Sequence, residues 1–257
     1  MALSEKQRAI DFHDEQAQAF HRRYERFRSD PYHSAFTYGR LKVEAVLDDH
    51  LGAPGQQRRL LDAGCGPGYL LRTYAARGYQ CVGIDASPSM VEVARHSDPP
   101  LDVCLADVER LPFDSASFDY LLSVEVIRYL PDCRPCIHEF SRVLRPGGVA
   151  LVTAMPPYTL TAYPLVNYVT STVRVGNLSR LRQFFHSVRG LERTFRECGF
   201  SRVEVRGAFW GPFVNIERLA PRMLPRLLAA WEPIDDALSR IPLLRDFSNH
   251  LVVIATR

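Results

Sequence analysis

The sequence predicts an α/β fold built on a doubly wound, mainly parallel sheet. Three observations carry that expectation. From residue 58 onward, short apolar runs alternate with helix-like stretches. The first run leads into the glycine-rich turn Gly64-Cys65-Gly66-Pro67-Gly68. The second and third runs lead to aspartates, Asp85 and Asp107. Strands separated by helices connect by right-handed crossovers, so the turn and both acids belong at one edge of the sheet.

Residues 6–28 read as a helix, with Ile10, Ala17, Phe20, Tyr24 and Phe27 on one stripe, ended by Asp30-Pro31. A second helix covers 36–51 and stops before Gly52. These form a helical cap, 1–52, ahead of the main domain, 53–257. Strands are expected at 58–63, 79–85, 102–107, 117–124 and 148–154, with helices at 67–77, 88–96 and 132–144. Residues 156–186 read as a partly helical insertion. Ser187 can cap a helix running to Cys198, and Gly199 suits its end. A strand follows at 201–207, then helices over 208–248 broken by prolines at 221, 225, 233 and 242, then a last strand at 250–256.

The chain of 257 residues, 46% hydrophobic and 24% charged, can bury a core without disulfides. A net charge of +3 exerts no strong pull on nucleic acid or on anionic membranes. No apolar run approaches the ~18 residues of a membrane helix, and Met1-Ala2-Leu3-Ser4-Glu5-Lys6 does not resemble a leader. Six sparse cysteines point to reduced thiols and a cytoplasmic protein. Residues 154–257 carry 14 basic and 8 acidic side chains, against 18 and 21 before them. That excess reads either as solvated helix faces or as a surface for an anionic substrate or lipid.

The glycine turn lets a ligand approach the backbone, and the following helix offers free N–H groups. A dinucleotide fold wants G-x-G-x-x-G or A, but Tyr69 stands at the last place. The turn fits a zwitterionic amino-acid tail better than a pyrophosphate. Asp85 can accept from a ribose diol; Asp107 can accept from an adenine amine while the next N–H donates to the ring.

These segments resemble the class I S-adenosylmethionine-dependent methyltransferases, in particular the small-molecule group that includes quinone-biosynthesis enzymes. Asp62-Ala63-Gly64-Cys65-Gly66-Pro67-Gly68 is similar to the family's first motif, Asp85 to its ribose acid and Ala106-Asp107-Val108 to its adenine segment. Val143-Leu144-Arg145-Pro146-Gly147-Gly148 is similar to the turn before the fifth strand. The resemblance is close over 58–155, weaker to 207, and absent from the ends. It implies a Rossmann-like seven-stranded sheet with an antiparallel last strand, and N-terminal helices and helical insertions forming a lid. It also implies S-adenosylmethionine as methyl donor and S-adenosylhomocysteine as product. Gly64, Cys65, Gly66 and Gly68 would border the methionine part, with Asp62 supporting the turn. Ala86 and Met90 would flank the nucleoside, and Ser123 and Val124 would lie near the sulfur. Tyr38 and Arg40 are candidates for the cofactor carboxylate.

An activated methyl donor needs alignment and a dry pocket more than a catalytic group. A phenol or alcohol acceptor would gain from a base. His186 is the base candidate, while His250 reads as structural. Arg128 and Tyr129 either orient the acceptor or, for Arg128, lie at the surface. Glu125 stands where some quinone O-methyltransferases begin a metal cluster, but Arg128 and Tyr129 replace the other ligands, so no metal is expected. Cys133 and Cys136 lack a second pair for zinc. The aromatic residues Tyr158, Tyr163, Tyr168, Phe184, Phe185, Phe209, Trp210, Phe213 and Trp231 form either an apolar roof over the acceptor or a seal between added helices and sheet. The expected activity is methyl transfer to O, N or C of a small aromatic or apolar metabolite, without nucleic acid, with a homodimer as the candidate assembly. The alternatives are a catalytically silent cofactor-binding partner protein and an RNA or protein methyltransferase.

Overall fold

A computed structural model describes residues 4–52, 58–173 and 181–257. One sheet carries seven strands: β1 (Arg59–Ala63), β2 (Gln80–Asp85), β3 (Val103–Leu105), β4 (Phe118–Ser123), β5 (Leu144–Ala154), β6 (Arg202–Ala208) and β7 (His250–Thr256). Their order is β3-β2-β1-β4-β5-β7-β6. The pairs from β3 through β5 are parallel, and β7 runs antiparallel to both β5 and β6. The order reverses between β1 and β4, so a crevice opens beyond the ends of those strands.

Nine α-helices accompany it among the described residues: α1 (Glu5–Ser29), α2 (Ala35–His50), α3 (Tyr69–Ala76), α4 (Pro88–Arg95), α5 (Arg134–Val143), α6 (Tyr163–Val173), α7 (Val188–Glu197), α8 (Phe213–Leu219) and α9 (Leu224–Ser239). Strand alternation divides the core. Leu61, Ile84 and Leu121 face α5 and α7 through Ile137, Phe140, Leu191 and Phe195. Leu60, Tyr120 and Leu122 face α2 and α3 through Val43, Leu47, Leu70 and Tyr74. Phe140 is fully buried, and truncating such a ring to alanine costs about 3–5 kcal/mol.

Local chemistry fixes the helix starts. Ser4 caps α1 by accepting from Gln7 N, Ser34 and Thr37 form a reciprocal capping box on α2, and Ser187 caps α7 as its sequence suggests. The 208–248 region departs from expectation at two prolines. Pro225 lies in the first turn of α9, where no N–H is needed, and Pro233 lies inside α9 without ending it. Leu224, Leu228 and Asp235 hold the helix down on both sides of Pro233. The third strand is also shorter than expected, so Asp107 lies beyond it, in an isolated bridge with Arg110. The expected boundary at 52/53 and residues 174–180 of the 156–186 insertion touch segments outside the described residues.

Candidate active site

A cavity of about 350 Å³ opens at the strand-order reversal. Its floor is the turn after β1. Gly64, Gly66 and Gly68 have φ of +87°, +54° and +80°, a region that favours glycine. At Gly64 a Cβ would stand 2.3 Å from Val126 Cγ2, so the turn and the segment after β4 pack backbone against side chain. Gly66 N donates to Asp85 Oδ2 at 2.8 Å, and Ser87 N donates to Oδ1 at 2.9 Å. Burial raises the pKa of Asp85 against the pull of these donors. With Ala86 N as a third donor, the carboxylate keeps capacity to accept from a ligand hydroxyl.

Asp62, at the end of β1, is 2% exposed. Burial pushes its carboxyl up to about 7, opposed by Arg40 and reinforced by Asp85. Arg40, from α2, donates from Nε to Glu44 Oε1 at 2.9 Å. Its guanidinium lies 5.5 and 5.7 Å from the centroids of the Tyr24 and Tyr69 rings, which stack on each other. An ammonium and a carboxylate on one ligand would therefore find opposite charges side by side.

α1 closes the cavity from above. Asp14 Oδ1 accepts from Ser87 Oγ at 2.7 Å and from Ser89 N at 2.8 Å, pinning the helix to the start of α4. Lys6 pairs with Asp107 at 2.6 Å and with Glu109. His13 donates from Nδ1 to Ala9 O at 2.7 Å, stacks on Phe20 and meets Tyr129 edge-on. Burial lowers its pKa, so the ring is neutral near pH 7 with Nε2 as an acceptor. Phe20, Tyr24, Phe36 and Tyr129 supply the aromatic wall.

Beyond β4, Glu125 pairs with Arg128, which also bonds Gln183. Burial would raise the Glu125 pKa, but Arg128 and His250 hold it well below the usual carboxylate range. Arg128 is 12% exposed and its Nε has no hydrogen-bond partner among the described residues. It is therefore not a surface residue.

The structure brings most of the expected residues together. Arg40, Asp62, Gly64, Cys65 and Gly66 line the cavity, as do Asp85, Ala86, Met90, Asp107, Val108 and Val124. Arg128 and Tyr129 also line it. Five expected residues do not. Tyr38 points the other way along α2, donating to Asp235 Oδ2 at 2.9 Å. Ser123 Oγ is turned into the sheet, donating to Ala63 O at 2.9 Å. Gly68 serves as the N-cap of α3, packed against Leu101. Ala106 packs against the core. His186 is hydrogen-bonded to the backbone of Ile127, with Nε2 buried and unpartnered.

The aromatic set of 158–231 divides as a seal, not as a roof. Phe209, Phe213 and Trp231 pack with Tyr38 between α2, α8 and α9. Tyr158 and Tyr168 are exposed. None of the nine lines the cavity, and its arginines, Arg23, Arg40 and Arg128, all precede the basic C-terminal part. The roof comes from α1, whose stripe had a readable signal. Lys6 and His13 fall on the same helical spacing as Ile10, Ala17, Phe20 and Tyr24. Among the described residues no group of three or more His, Cys, Asp or Glu could hold a metal ion, and no helix is long and apolar enough to cross a membrane.

Residues 61–152 match the methyltransferase domain family. The chain is 37% identical over 112 residues to the malonyl-[acyl-carrier protein] O-methyltransferase of Serratia marcescens, covering 44% of this chain and 43% of that protein. It is 29% identical over 179 residues to the ubiquinone biosynthesis O-methyltransferase of Xanthomonas axonopodis pv. citri, covering 66% and 74%. The chain thus spans less than half the length of the Serratia relative it matches. In fold it is similar to a SAM-dependent methyltransferase of Thermotoga maritima, with a TM-score of 0.61, 18% identity and coverage of 95% and 97%.

Proposed function

The chain carries a class I S-adenosylmethionine-dependent methyltransferase domain, and from that premise we propose that it methylates a small, apolar or aromatic acceptor. One observation supports this most: Asp62, Asp85 and Asp107 open on a single cavity that also carries an aromatic wall. The donor brings an activated methyl group on a sulfonium. The chain's own residues would do the rest. Asp62 and Arg40 hold the ammonium and carboxylate of its amino-acid end, Asp85 accepts from the ribose hydroxyls, and Asp107 accepts from the adenine amine. The aromatic wall excludes water and places a flat acceptor beside the methyl group, which lowers the barrier by alignment. The O-methyltransferase names of the relatives support an oxygen acceptor. The comparisons lend no support to a homodimer.

Calorimetry with S-adenosylhomocysteine tests the cofactor half of this reading; micromolar binding is expected, and no heat at high micromolar ligand sinks it. Incubation with labelled methyl donor and a metabolite extract, read by mass spectrometry, tests the acceptor half. Label recovered only in RNA or protein would overturn it.

A further inference from the structure

A second set of groups opens on the same cavity. Glu125 follows β4 with φ +66°, a left-handed conformation that costs a residue with a Cβ about 1–2 kcal/mol. The fold over-determines it. Glu125 N donates to Thr153 Oγ1 at 2.7 Å, and the same hydroxyl lies 3.4 Å from Oε1. Arg128 takes Oε2. A carboxylate gripped by β5 and by the turn after β4 stays ionised in spite of its burial.

On Oε1, at 3.3 Å, stands His250 Nδ1 from the first residue of β7, within ion-pair reach but outside hydrogen-bond geometry. A carboxylate only accepts, so a neutral imidazole in this pair carries its proton on Nδ1 and leaves a lone pair on Nε2. Nε2 lies 3.5 Å from the point where a Cβ would stand on Gly39. Gly39, His250 and Glu125 all line the cavity. The bare glycine on α2 lets the imidazole approach the helix at the cavity edge. Phe209 stacks along the ring, with centroids 6.4 Å apart, and its Cδ1 lies 3.0 Å from the same point beside Gly39. His13 also faces the cavity, but its Nδ1 is spent on a carbonyl of its own helix.

We propose that His250 is the general base of an O-methyl transfer, that Glu125 is its positioning residue, and that the acceptor is a weakly acidic hydroxyl. This rests on the methyl-transfer reading. In the step, Nε2 takes the hydroxyl proton as an oxygen lone pair bonds the methyl carbon. The carbon–sulfur bond breaks with its pair left on sulfur. One positive charge disappears from sulfur and one appears on the imidazole, next to Glu125. The proton leaves to water after product release.

The test compares wild type, His250→Asn and Glu125→Gln on 4-methylcatechol, 4-nitrocatechol and N-methylaniline near pH 7.5. S-adenosylhomocysteine affinity is measured alongside. On 4-methylcatechol each variant should lose about 10²- to 10³-fold in kcat, with KM and product affinity nearly unchanged. On 4-nitrocatechol, whose hydroxyl ionises without help, the loss should fall below about tenfold. A structural defect would lower both rates alike, and equal losses overturn the proposal. So does transfer to the amine alone, or to no hydroxyl by a protein that binds S-adenosylhomocysteine. Failure to bind that product would instead remove the methyl-transfer reading beneath it. If neither variant folds, nitrogen-15 NMR of the wild-type histidines decides: the neutral His250 ring should carry its proton on Nδ1, and an Nε2–H tautomer overturns the assignment.

Discussion

Lys6 Nζ lies 2.6 Å from Asp107 Oδ2, joining the first turn of α1 to the loop after β3. The pair is partly exposed, at 23% and 44% of the two side chains, so it contributes at most about 1 kcal/mol. Lys6→Met should therefore weaken S-adenosylhomocysteine binding by no more than about fivefold. Asp107→Ala removes a charged acceptor and should cost about 10- to 100-fold. Calorimetry on the two variants separates a tether from an adenine reader; equal effects would mean that Asp107 serves only to hold α1.

Asp62 makes both stability and binding depend on pH. Its carboxyl has an ordinary value of 3.8 when unfolded and stands at about 7 when folded, raised chiefly by burial. Between those values the folded state holds more protons, so ligand-free stability should fall as pH rises from about 4 to about 7. An ammonium ligand requires the carboxylate. Affinity for S-adenosylhomocysteine should therefore rise over the same window and level off above it. Asp62→Asn should flatten the profile. A wild-type affinity independent of pH from 5 to 8 would remove Asp62 from the ligand.

Gly64→Ala should destabilise by about 1–3 kcal/mol, since it combines a positive φ with a methyl 2.3 Å from Val126 Cγ2. For a chain of this size that lowers Tm by about 3–10 °C. Adding Val126→Ala relieves the collision and leaves the backbone strain, so the double variant should lose less than the two single losses summed. Thermal melts give the cycle, and strict additivity would show that the side chain is not the obstacle.

Tyr38 belongs to a buried joint. Its hydroxyl donates to Asp235, which also accepts from Trp210 N at 2.7 Å. Burial pushes Asp235 up to about 6, against the pull of both donors. Tyr38→Phe should cost about 1–3 kcal/mol of stability, with S-adenosylhomocysteine affinity unchanged within twofold. A tenfold loss of affinity would restore Tyr38 to the cofactor site.

The ends of the strands were legible because backbone rules act locally. A glycine turn after an apolar run and an aspartate at the end of β2 keep their places whatever packs around them. The expected strands for β1, β2, β4 and β7 therefore agree with the sheet to within a residue or so. The orientation of side chains on helices was less legible. Tyr38 and Arg40 are two residues apart on α2, and helical geometry sends them to different neighbours.

What the sequence by itself determined is the alternation of strands and helices and the three carboxylates along one edge of a parallel sheet, since each follows from short-range periodicity and the handedness of crossovers. What only the tertiary structure decided is the upper half of the cavity. α1 supplies Lys6, His13 and Phe20, and α2 supplies Phe36 and Gly39. β7 brings His250 to Glu125, 125 positions earlier in the chain. Those meetings depend on how helices dock and on which strand inserts beside β5, and no local pattern encodes a contact between residues so far apart.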